Sequence, residues 1–245
     1  MNSLATDLAA FRAEFMGKVP AEIRAAMERA DADLLASGIV ERALKAGARA
    51  PDFVLPNVAD ETLSLGEVLR GGPVVLSFYR GGWCPYCNLQ LRALQAAVPQ
   101  IEALDASLVA VSPQIPDESL STAEKNGLAF AVLSDRGSVI ARKFGIVFDL
   151  AEELRPIYSK FGHGLPEMNG TDDWVLPMPA TYVIDRDGTI VFAFVDPDYR
   201  NRLEPAAILE VLEAQRPSVL PMQAPLAAKN ACNTLIYRSK MVPLT

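Results

Sequence analysis

The chain has 245 residues, half of them hydrophobic, and a formal net charge of -7, which is enough for one large buried domain or a domain with extensions. The acidic balance argues against a nucleic-acid or anionic-membrane surface, and three cysteines, two in one short motif, do not make a secreted disulfide framework. No apolar run approaches the roughly 18 residues of a membrane span, and Met1-Asn2-Ser3-Leu4-Ala5-Thr6-Asp7 shows neither the basic nor the apolar region of a signal peptide, so the expected setting is a reducing cytoplasm.

In chain order, residues 1–47 read as a helical arm. Leu4, Leu8, Phe11 and Phe15 share one face, Gly17 and Pro20 break the run, and Ile23, Met27, Leu34 and Leu35 mark a second amphipathic stretch. The arm carries no chemical signature and is expected to pack or to dimerise. Residues 48–215 read as an α/β domain. Ala50 to Pro56 and Thr62 to Leu65 are short strands, and Pro73-Val74-Val75-Leu76-Ser77 is a buried strand. Apolar residues from Asn88 to Val98 recur at helical spacing. Ser107 to Ser112 and Phe130 to Ser134 are strands, with helices at Asp117–Asn126 and Ser138–Phe144. Residues 148–178, rich in Gly, Pro, Asp and Asn, are expected to be an irregular insertion. Ala180 to Ile184 and Thr189 to Val195 form a hairpin about Asp185-Arg186-Asp187-Gly188. A helix over Pro205–Gln215 closes the domain, and residues 216–245, with four prolines, read as an irregular tail.

The chemistry points to Arg80-Gly81-Gly82-Trp83-Cys84-Pro85-Tyr86-Cys87, where a strand gives way to a helix. A C-x-x-C in that place reads as a thioredoxin-like redox pair. With Cys84 as N-cap and Pro85 as the first helical residue, the Cys87 N–H points back at the Cys84 sulfur. That hydrogen bond and the helix dipole would favour a Cys84 thiolate. Arg80 is a candidate for the charge beside the thiolate, and Trp83 for a wall of the pocket. His163 between two glycines reads as a loop residue, and Cys232 as a lone tail cysteine or a distant resolving thiol. A Cys₃His zinc set of Cys84, Cys87, Cys232 and His163 would draw on irregular segments far apart in sequence.

The landmarks Ala50-Pro51-Asp52-Phe53, Leu76-Ser77-Phe78-Tyr79, Val132-Leu133-Ser134-Asp135 and Thr181 to Gly188 together resemble the thioredoxin-fold superfamily. More narrowly, they resemble the peroxiredoxin-like proteins of the alkyl hydroperoxide reductase/thiol-specific antioxidant (AhpC/TSA) group. That resemblance implies a central mixed sheet flanked by helices, behind an N-terminal helical extension. Laid on the P-x-x-x-T-x-x-C signature of peroxiredoxins, the peroxidatic position falls on Cys87, the Thr on Cys84 and the Pro on Arg80. In thioredoxin-like oxidoreductases a cis-Pro precedes the strand opposite the dithiol, and Pro179 matches it; peroxiredoxins commonly carry an Arg there.

The resemblance implies a thiol-dependent peroxidase for hydrogen peroxide or organic hydroperoxides, recycled by a thioredoxin-like or glutathione-type reductant, with no metal or organic cofactor, and a homodimer. The Cys-Pro-Tyr-Cys motif equally allows a thiol–disulfide oxidoreductase with Cys84 as nucleophile, since the first cysteine is the N-cap and the more exposed. A redox sensor that oxidises without turnover is a third reading. Local chemistry favours Cys84, family position favours Cys87, and the sequence leaves the choice open.

Overall fold

The computed structural model describes residues 3–216 apart from Val58 and Asp60. Cys232 and the stretch expected as a tail lie outside the described residues beyond Arg216. The arm consists of α1 (Leu4–Lys18), α2 (Ala21–Ala36) and α3 (Ile39–Arg42). Ser3 caps α1 by accepting from the Thr6 N–H, and Val19-Pro20 separates it from α2. Next come β1 (Val54–Pro56), β2 (Thr62–Ser64), α4 (Leu65–Gly71), β3 (Val74–Phe78) and α5 (Pro85–Glu102). They are followed by β4 (Ser107–Ser112), α6 (Pro116–Asn126), β5 (Ala131–Ser134) and α7 (Val139–Lys143). The chain continues through β6 (Val147–Asp149), α8 (Arg155–Lys160), α9 (Leu165–Asn169) and β7 (Val175–Pro177). It ends with β8 (Ala180–Ile184), β9 (Ile190–Val195) and α10 (Pro205–Gln215).

The central sheet is mixed, in the order β5-β4-β3-β8-β9. β3 runs parallel to β4, with Leu76 opposite Val109, and antiparallel to β8, with Phe78 opposite Ala180. Helices cover both faces, so the central strands read as continuous apolar runs rather than alternating ones. Alternate side chains still part to opposite sides. Val74, Leu76 and Phe78 enter one core with Phe53, Phe144 and Tyr182. Val75 enters the other, under α5 and α10, with Leu94, Ile101, Ile208 and Leu212. β8 and β9 form the expected antiparallel hairpin, closed by the Gly188 N–H on the Asp185 carbonyl.

Residues 148–178 correct the expectation of an irregular insertion. They hold a short 3-10 turn (Glu152–Leu154), α8, α9 and the antiparallel pair β6·β7. Leu150, Leu154, Leu165 and Leu176 bury against Ala26 of α2. Each element is too short for a periodicity to show in the sequence, so it is the shared burial that orders the segment. Among the described residues, no helix is long and apolar enough to cross a membrane.

Candidate active site

The site sits where β3 ends between its neighbours. Its pairing continues one residue further, through the Tyr79 N–H on the Val111 carbonyl at 2.9 Å. The chain then turns through Arg80, Gly81 and Gly82 and enters α5 with Cys84 as N-cap and Pro85 in the first turn. Because β8 runs antiparallel to β3, its first residue, Ala180, faces Phe78. Pro179, just before it, is therefore brought beside the loop, where it lines a cavity with Arg80, Tyr158 and Tyr199.

Two glycines shape the turn. Gly81 has φ +144°, and a Cβ there would lie 2.4 Å from Trp83 Nε1; a Cβ on Gly82 would lie 2.0 Å from Thr122 Oγ1. Polar bonds then pin the loop to α5 and to the layer above it. The Gly82 N–H donates to Gln114 Oε1 at 2.6 Å, and Asn88 Nδ2 donates to the Gly82 carbonyl at 2.8 Å. Asn126 Nδ2 donates in turn to Asn88 Oδ1 at 3.0 Å. A buried network satisfied in this way fixes a single loop geometry.

The two thiols are free and buried, Cys84 2% exposed and Cys87 0%. Cys84 is the more exposed of the two, as expected, but only by this small margin. Cys84 is the N-cap, yet its side chain makes no capping hydrogen bond. The expected bond from the Cys87 N–H to the Cys84 sulfur is therefore not made, and the preference for charge moves to the other sulfur. Burial opposes ionisation of Cys87. Four groups oppose burial: the Cys84 thiol as hydrogen-bond donor, the Arg202 guanidinium, a backbone hydrogen bond from Arg80 and the Arg80 charge. Their sum holds Cys87 below the ordinary thiol range. Cys84 is pushed up, first by burial and then by its hydrogen bond and proximity to the Cys87 sulfur, against the charges of Arg80 and Arg202.

Arg202, absent from the sequence-based candidates, donates from Nη2 to Cys87 Sγ at 3.6 Å. It lies in the link between β9 and α10, 115 residues from the thiol it contacts, and nothing local to it signals that partner. Arg80 acts differently from a direct ligand of the sulfur. Its guanidinium is buried among three rings, 4.2 Å from the Tyr199 centroid, 5.0 Å from Trp83 and 5.8 Å from Tyr158. It also donates to the Tyr158 hydroxyl. Cation–π contact stabilises that buried charge, which acts on both thiols through space.

Trp83 forms a wall of the pocket. With Phe11 and Phe15 of the arm, Tyr86, Tyr158 and His163, it encloses a cavity of about 270 Å³ that reaches Cys84. Cys87 does not line it. His163 packs on Trp83 with centroids 4.9 Å apart. Burial and the Arg80 charge hold its pKa below the ordinary value, against a backbone hydrogen bond, so at neutral pH it is an uncharged part of the wall. The arm is thus part of the site. Phe11 meets the Tyr86 ring edge-on at 5.0 Å, and Leu4 and Leu8 pack in the cluster that holds both cysteines.

The sequence profile of the AhpC/TSA family matches residues 46–193. A putative peroxiredoxin bcp of Buchnera aphidicola subsp. Schizaphis graminum is 31% identical over 103 residues, 42% of this chain and 65% of that protein. The chloroplastic peroxiredoxin Q of Populus jackii is 29% identical over 159 residues, 65% of this chain and 62% of that protein. The matched part therefore spans less than two thirds of either relative. The crystal structure of peroxidoxin BcpB from Mycobacterium tuberculosis is similar with a TM-score of 0.57 and 23% identity, over 71% of this chain and 99% of that one. That likeness is one of fold.

Proposed function

Since the chain belongs to the AhpC/TSA family, we propose that it is a thiol-dependent peroxidase in which Cys87 attacks the peroxide and Cys84 resolves the product. The observation that carries this reading is the asymmetry of the pair. Arg202 and the Cys84 thiol both donate to the Cys87 sulfur, which is held low, while Cys84 is pushed up. The thiolate is the nucleophile, so at neutral pH the reactive form belongs to Cys87.

The Cys87 thiolate attacks one oxygen of the O–O bond. That bond breaks, an S–O bond forms, and the departing oxygen leaves with a proton as water or alcohol. Sulfur is oxidised to sulfenic acid and the peroxide is reduced. Arg202 and Arg80 keep the attacking sulfur ionised until the S–O bond forms. The Cys84 sulfur, three residues away in the first turn, then attacks the Cys87 sulfur, water leaves, and the disulfide closes.

Access bears on the recycling step. Cys84, not Cys87, lines the aromatic cavity, so the incoming thiolate of a thioredoxin-like or glutathione-type reductant reaches the Cys84 sulfur. Cys87 leaves as the stabilised thiolate, the easier leaving group. The same access would suit a thiol–disulfide oxidoreductase with Cys84 as nucleophile, but the raised Cys84 thiol opposes that role. A reducing cytoplasm is the setting we propose, since it would return the pair to thiols between turnovers, and a homodimer is proposed from the family resemblance alone. The test is single-turnover oxidation by peroxide of the reduced protein and of its two Cys→Ser variants. Fast oxidation that needs Cys87 supports the proposal; oxidation that needs only Cys84 refutes it.

A further inference from the structure

The link from β9 to α10 carries Tyr199 and Arg202, and it is held from outside the thioredoxin-like domain. Glu204 accepts from the Leu4 and Ala5 N–H groups at the start of α1, at 3.3 and 2.6 Å. Arg12 of α1 lies 3.8 Å from Asp198. The tightest tie is Arg200, which bonds Asp198 within the link at 2.5 Å and Asp31 of α2 at 2.6 Å. Arg200 is the more buried partner of this pair, with 10% of its side chain exposed against 25% for Asp31. It also lies 5.2 Å from the Tyr199 ring, which Arg80 approaches to 4.2 Å. Two residues further on, Arg202 meets Cys87.

We infer that Asp31 is a positioning residue for the reactive thiol. It holds Arg200, Arg200 holds the link, and the link sets Arg202 on Cys87 and Tyr199 on Arg80. A fork-shaped guanidinium tied to two carboxylates has one orientation, so the tie fixes direction as well as distance. This gives the N-terminal arm a function in the chemistry that its sequence does not announce. The inference rests on Cys87 being the thiolate.

The sign of one measurement separates positioning from simple electrostatics. Removing the Asp31 charge deletes an anion, which through space would lower a thiol pKa. Loosening Arg202 would raise it. The groups facing Arg200 are Asp31, Asp198, Tyr199 and Tyr86; those acting on Cys87 are Cys84, Arg80, Arg202 and Tyr79.

The experiment is the pH dependence of iodoacetamide alkylation at Cys87, read by peptide mass, in the full reduced chain carrying Cys84→Ser. In Asp31→Asn the Cys87 titration moves up by about one unit, a tenfold loss of thiolate at low pH. Asp31→Glu recovers at least half of that shift. Asp31→Asn adds little on top of Arg202→Met, as expected for residues on one path. Arg200→Lys, which keeps the charge and loses the fork, moves the titration the same way and serves if Asp31→Asn does not fold. An unchanged or lowered titration, or full additivity with Arg202→Met, overturns the inference. A Cys87 that titrates at the ordinary thiol value in the unsubstituted chain overturns instead the assignment of Cys87 as thiolate.

Discussion

Arg202→Met is the substitution that probes the site most directly. Methionine keeps the apolar stem of the side chain, and so much of its packing, while removing the donor and the charge. The Nη2 of Arg202 lies 3.6 Å from Cys87 Sγ. At an effective dielectric near 20, two unit charges at about that distance attract by about 4 kcal/mol. The net worth of a hydrogen bond to a charged group in proteins is about 1.5–3 kcal/mol. The smaller range is the relevant one, because the Arg80 charge remains and water enters the space left behind. At about 1.4 kcal/mol per pK unit, the Cys87 titration rises by about one to two units. Below both pKa values the rate of reaction with hydrogen peroxide falls by about 10- to 100-fold. Above both, the thiolate is fully formed in either protein, and any remaining deficit measures what Arg202 contributes to the transition state. The assay is the pH profile of single-turnover oxidation, with alkylation at Cys87 as an independent titration. A Cys87 pKa that does not move in a folded Arg202→Met protein would refute the assignment of Arg202 as the charge on the thiol.

Other outcomes follow from the same geometry. In the unsubstituted reduced chain, alkylation at Cys87 saturates below about pH 8.5, the ordinary thiol value, and alkylation at Cys84 above it; coincident profiles would contradict the asymmetry. Asn88→Ala strands the Gly82 carbonyl and one of the two Asn126 amide protons, the other staying on the Thr122 carbonyl, at a cost of about 1–3 kcal/mol, seen as a lower urea midpoint with an unchanged slope. Gly82→Ala drives a methyl into Thr122, so it lowers stability by about 1–3 kcal/mol and slows peroxide oxidation, because the same loop carries Arg80. A Gly82→Ala protein as stable and as fast as wild type would show that the loop is not fixed as described.

The legible part of the fold was the part with strong local signals. Pro73–Ser77 reads as a buried strand because it is continuously apolar, and Cys84-Pro85 reads as a helix start because proline suits the first turn. Both observed elements agree, as do the 185–188 turn and the closing helix. What the sequence could not show was any relation between distant residues. Cys84 has the right place for a capping thiolate, but capping also needs a free side-chain direction, and here that thiol donates to Cys87 instead. Arg202 looks like an ordinary arginine in a polar link until the sheet brings β9 beside β8. The arm reads as packing because its polar residues, Asp31 among them, gain meaning only against Arg200. Residues 148–178 escaped because their apolar residues are spread over elements of three to six residues.

The central claim is that Cys87 is the thiol that meets the peroxide. Rapid mixing of the fully reduced protein with hydrogen peroxide, followed by intrinsic fluorescence, tests it, since Trp83 borders the site and Trp174 is the only other indole. The account predicts a fast oxidation phase in the wild type that Cys84→Ser retains and Cys87→Ser loses. A fast phase that survives Cys87→Ser and vanishes in Cys84→Ser, or oxidation no faster than that of a free thiol in all three, would contradict it.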